Sequence, residues 1–105
     1  MIKPTVHLNG TSAEDLLDGY TQAHAALREA DAKLAACTPH GRDYYVADPE
    51  WAASHTTAIA VAREEHWKRR EAVQAVMKEL EEIGDYLAGI LANRLDRRAA
   101  RKAGA

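Results

Sequence analysis

A chain of 105 residues with 14 Lys plus Arg, 16 Asp plus Glu and a net charge of −2 makes one small domain. That size excludes two separately folded domains and any enzyme built on a complete doubly wound sheet or barrel. No run of 18 apolar residues occurs, so no membrane-spanning helix is expected, and the lone Cys37 has no partner for an internal disulfide.

Ala is the commonest residue and Phe is absent. A chain rich in Ala, Glu, Arg and Leu, with Pro4, Pro39 and Pro49 outside the periodic segments, predicts an all-α fold of long helices. Charge is unevenly placed. Residues 1–85 are net acidic, whereas Arg94, Arg97, Arg98, Arg101 and Lys102 stand against Asp96 alone at the end. A helix C-terminus favours cations, and no aromatics interleave with these arginines, so a nucleic-acid partner is not expected.

Residues 1–10 read as an extended arm. Pro4 disfavours helix before it, Thr5 to Leu8 is a short β-prone run, and Asn9-Gly10 signals a turn. A first helix is predicted over residues 11–37. Thr11-x-x-Glu14 and Ser12-x-x-Asp15 are two overlapping capping patterns. Apolar positions then recur at three and four residues through Ala13, Leu16, Tyr20, Ala23, Leu27, Ala30, Leu34 and Cys37, as in a coiled-coil seam. Pro39 and Gly41 end the helix.

Residues 38–48 form a loop that is long for a helix connection. A second helix is predicted over 49–100, with Asp48 as N-cap and Pro49 in its first turn. Its seam runs through Ala52, His55, Ile59, Ala62, His66, Arg69, Val73, Val76, Leu80, Ile83, Leu87 and Ile90, with Leu91 and Leu95 widening it. Gly84 and Gly89 are its interior breakers.

The fold expected is therefore a long antiparallel helical hairpin with an extended N-terminal arm, residues 1–105 forming one helical domain. A tight turn pairs Cys37 with Trp51 and Leu16 with Val73. The second helix, about 75 Å long at 1.5 Å per residue, then runs far past the first, of about 39 Å. Its apolar stripe of Val76, Leu80, Ile83, Leu87, Ile90 and Leu91 would stand in water unless another subunit covered it, which predicts a homo-oligomer, most simply a two-fold dimer.

Three groups of residues carry binding chemistry. The same register brings Tyr20 near Arg69 and His66 near the small Ala23, a polar level that either specifies register or lines a ligand site. Arg42-Asp43-Tyr44-Tyr45 in the loop offers a guanidinium fork for phosphate and rings that stack on a base. His7, Asn9 and Thr11 form a polar group in the arm, where turn and cap chemistry also account for Asn9 and Thr11. No His pair stands at helical metal-ligand spacing, HExxH is absent, and no Gly-rich phosphate loop occurs. Neither a metal, a cofactor nor an enzyme activity is expected.

Pro4-Thr5-Val6-His7-Leu8-Asn9-Gly10-Thr11-Ser12, the loop Gly41-Arg42-Asp43-Tyr44-Tyr45, and Glu65-His66 on the second helix together resemble a largely uncharacterised family of small helical proteins of tailed phages and prophages. The likeness spans roughly residues 4–90 and implies a cytoplasmic setting in a bacterial host cell. By analogy of class, it suggests an anti-defence sponge: a non-enzymatic oligomer that captures a small anionic, nucleotide-like ligand. The competing expectation is a protein–protein adaptor, either a phage structural component or an inhibitor of a host protein, working through its exposed seam.

Overall fold

A computed structural model describes residues 1–44 and 51–104, and of residues 51–57 the backbone alone. Among these the protein is all-helical: α1 spans Ala13–Ala36, a short 3-10 helix spans Gly41–Tyr44, and α2 spans Trp51–Gly104. The molecule is an elongated hairpin measuring 85 × 22 × 15 Å. Tyr45, and the predicted cap at Asp48 and Pro49, lie outside the described residues.

Of the two candidate caps for α1 the chain uses Ser12, whose hydroxyl accepts from the Asp15 N–H at 3.1 Å. Glu14 and Asp15 sit in the first turn, where the helix dipole favours them. The arm before it packs on the far part of α2. Lys3 Nζ lies 5.4 Å from the centre of the Tyr86 ring, and Thr5 and Val6 share a hollow with Tyr86, Ile90 and Arg97. The Gly10 N–H donates to the His7 carbonyl at 3.1 Å, and the His7 ring folds over Gly10 so closely that a Cβ there would meet it at 2.8 Å. Only glycine allows that approach without moving the ring.

The α1 seam agrees with the spacing at every second position and differs between them. Ala13 is buried and Tyr20, Leu27 and Leu34 are half-buried, as the pattern predicts. The intervening places belong to Leu17, His24 and Asp31, while Ala23 and Ala30 face solvent and Leu16 lies at the edge. On α2 the line runs through Ile59, Ala62, His66, Arg70, Val73, Met77, Leu80, Ile83 and Leu87. Arg69 and Val76 are exposed, which corrects their placement in the seam. Asp31, His24 and Arg70 hold their seam positions because each has a partner across the pair. Arg70 donates Nε to Asp31 Oδ1 at 3.0 Å and Nη2 to Oδ2 at 3.2 Å, and His24 Nε2 lies 2.7 Å from Glu81 Oε1.

The register is corrected as well. Leu17 faces Gly84 and not a residue near Ala72, and Asp31 faces Arg70 and Gln74. Against a tight turn at Cys37, α1 has moved about a dozen residues, roughly 18 Å, toward the C-terminus of α2. The described part of the connector, residues 38–44, lies along α2 instead of reversing at once. The Pro39 carbonyl accepts from Arg63 Nε at 3.4 Å, and the 3-10 helix packs on α2 beside Ala62 and Glu65. The shift places the strongest apolar stretch of α2 under α1. Ile83 is 7% exposed and Leu87 fully buried within the chain itself. Leu80, Ile83 and Leu87 are therefore hairpin core and not a free subunit interface; Val76 is open to solvent, and Ile90 and Leu91 are half-buried. The helix passes through Gly84 and Gly89 without a break.

Candidate functional site

The two flanks of the helix pair differ in chemistry. One is laced by cross-helix hydrogen bonds. The Asp31 carboxylate receives the Arg70 fork side-on and a third bond from Gln74 Nε2 at 3.3 Å. Those bonds, Arg70 first and Gln74 second, hold the Asp31 carboxyl below its ordinary value, and the same pairing raises Arg70. Further along lies the His24–Glu81 contact, on the rim of a groove of about 390 Å³ that continues past Arg28, Asp85 and Ala88. The other flank holds an apolar hollow of about 280 Å³ between Leu16, Gly19, Ala23 and Leu80. Tyr20 and Leu80 line both and stand between them.

The predicted binding residues are spread along this frame. His7, Asn9 and Thr11 are exposed at the arm end of α1, where Thr11 touches the rim of the apolar hollow. Tyr20 is half-buried a little further along α1. The register moves it away from Arg69, and Ala23 away from His66, so that polar level does not form. Arg42 and Asp43 are exposed on the 3-10 helix, their N–H groups donating to His40 Nδ1 at 3.3 Å and to the His40 carbonyl at 3.0 Å. Tyr44 and Arg69 do come together. They line one hollow of about 440 Å³ with Val61, Ala62 and Glu65, and Arg69 Nη2 lies 3.5 Å from Glu65 Oε2. This hollow and the arm lie on stretches of α2 whose centres are about 42 Å apart, at 1.5 Å per residue. One protomer therefore does not assemble the ten residues into a single pocket.

His66 is a separate case. It is buried, 7% exposed, and its Nε2 has no hydrogen-bond partner among the described residues. Such a nitrogen costs stability wherever water is excluded. Among the described residues no group of three His, Cys, Asp or Glu side chains is placed to hold a metal, and no helix is long and apolar enough to cross a membrane.

Sequence spacing missed the Asp31–Arg70–Gln74 and His24–Glu81 contacts. The signal was present: an acid and a His on α1 at seam spacing, with complementary partners on α2 that meet only after a shift of register.

Fold and surfaces together define a thin, open two-helix protein with little core of its own. No known protein family, curated protein or solved structure matches the chain.

Proposed function

We propose that the protein is a non-enzymatic assembly module, a helical hairpin that completes its packing against a second chain. One observation carries this reading. The chain exposes 7984 Å², whereas a compact protein of its 11.5 kDa mass exposes about 5,800 Å². The excess, about 2,200 Å², is more than twice the roughly 800 Å² that each partner gives to a stable interface. Large apolar side chains stand in that surface, among them Trp67 at 62% and Leu95 at 63% exposure. In the cytoplasmic phage setting that the resemblance implies, such a module serves in assembly or docks on a host protein. Native mass spectrometry of the full chain tests the reading. A defined oligomer, or a stable complex with a host protein, supports it, and a monomer with no partner overturns it.

The Tyr44–Arg69 hollow favours a second reading, capture of a small anionic ligand. A tyrosine ring for stacking and a guanidinium for phosphate share one wall there. Under this reading, nucleotides, cyclic dinucleotides or ADP-ribose derivatives raise the melting temperature, and Arg69→Ala removes the effect. No shift with any of them removes the reading.

A further inference from the structure

Past the start of α1, α2 continues alone except for the arm. The arm lies against Tyr86, Ile90 and Arg97 and leaves another face of the same helix open. That face carries Glu81, Asp85, Ala88, Leu91, Leu95, Arg98 and Lys102, in helical steps of three and four. Leu95 is 63% exposed, Leu91 half-buried, and the other five exposed. The order along the strip is acid, apolar, base. The acidic end with Ala88 also forms the rim of the 390 Å³ groove between α1 and α2.

This order is self-complementary under a two-fold axis. Laid antiparallel on a copy of itself with the axis beside Leu91, the strip sets Asp85 against the partner's Arg98, Glu81 against the partner's Lys102, and Ala88 against the partner's Leu95. Each contact occurs twice. Laid parallel, the same strip sets like charges against each other. The span from Glu81 to Lys102 is about 33 Å at 1.5 Å per residue, enough for the tip of each copy to reach the groove of the other.

We infer that a second copy of this chain binds here, the basic tip of each α2 seated antiparallel beside the other's α1, against Glu81 and Asp85 on the α2 rim of its groove. The isologous contact supplies four opposite-charge pairs around an apolar centre of Ala88, Leu91 and Leu95. The inference rests on the assembly reading and adds its partner and geometry. It replaces the stripe of Leu80, Ile83 and Leu87, which the hairpin has already used.

The test is the dissociation constant of the full-length dimer by analytical ultracentrifugation, for the native chain and for Arg98→Glu, Asp85→Lys, the two together, and Leu95→Asp. All three positions are on the exposed face of a formed helix, and circular dichroism checks that each variant folds. Each single charge reversal weakens the dimer by about tenfold or more, because like charges then meet twice. The double variant regains most of the loss, and an equimolar mixture of the two single variants forms mixed dimers in preference to either alone. Leu95→Asp gives monomer. High salt weakens the native dimer. A dimer indifferent to Arg98→Glu and to Leu95→Asp overturns the strip while the assembly reading stands. A native chain that is monomeric at all concentrations overturns this inference, and the assembly reading falls with it unless a host protein is bound.

Discussion

The stretch of α2 from Ile59 to Leu87 and the stretch from Leu91 to Lys102 share one helix and one spacing, yet the protein treats them oppositely. In the first, α1 covers the apolar line, and polar pairs across the seam fix how the helices align. In the second, the line is open to solvent and its charges find no cross-helix partner within the chain among the ion pairs of the described residues. Apolar periodicity therefore says that a face will be covered, and the charges flanking it say by what. Where they match α1 the cover is internal; where α1 offers no match, the proposed cover is a second copy.

Leu87 and Leu95 break this comparison most sharply. Leu87→Ala removes a fully buried side chain and costs about 3 kcal/mol, a large share of what so thin a core provides. Leu95→Ala changes the stability of the hairpin by no more than about 0.5 kcal/mol, since its side chain is exposed. Urea unfolding followed by circular dichroism, at concentrations where the chain is monomeric, measures both. Equal losses would show that the tail is packed within the chain and would erase the distinction.

How far the sequence reveals this fold follows from the same residues. The helices are legible because Ser12, Glu14 and Pro39 mark the ends of α1 and the apolar spacing is unbroken. Ala13, Tyr20, Leu27 and Leu34 fall where the pattern puts them. Between those anchors a helix offers two neighbouring positions, and hydropathy prefers Ala23 and Ala30 to His24 and Asp31. The chain prefers the polar pair because Glu81 and Arg70 lie opposite. Alignment of the helices is not legible at all from α1 alone. It depends on whether the connector turns at once or first climbs α2, and a stretch of that length permits both. The pairings of Tyr20 with Arg69 and of His66 with Ala23 depend on that alignment and do not survive the shift; among the described binding residues Tyr44 meets Arg69, on the surface.

The Asp31–Arg70–Gln74 cluster sharpens the account of what sets that alignment. Asp31→Asn keeps the shape, removes the charge and lowers the melting temperature of the hairpin by several degrees. The effect also has a pH signature. A carboxyl lowered in the folded state contributes stability that is present above the ordinary carboxylate value, about 3.9, and is lost as the pH falls through its lower folded value. Arg70 stays charged throughout, so the native chain and the Asn variant differ at pH 7 and converge as the pH falls through the lowered folded value of Asp31. Thermal unfolding of both between pH 7 and pH 2.5 checks the sign. A difference that grows on acidification would mean that Asp31 is not the ionised partner of Arg70.

The remaining effect, opposite in sign, concerns His66, the one place in the covered stretch where a seam polar side chain lacks its match. Arg70 and His24 have partners across the helix pair; His66 Nε2 has none among the described residues and is shut from solvent. Removing such an orphan while keeping the volume relieves a desolvation penalty, whereas removing one member of a satisfied pair creates one. His66→Leu therefore stabilises the hairpin by about 1 kcal/mol, or roughly 5 °C in melting temperature, opposite in sign to the Asp31 variant. A loss of stability in the Leu variant, recovered by His66→Gln, would show instead that Nε2 is hydrogen-bonded in solution, and His66 would then join Arg70 and His24 as a residue that sets the alignment.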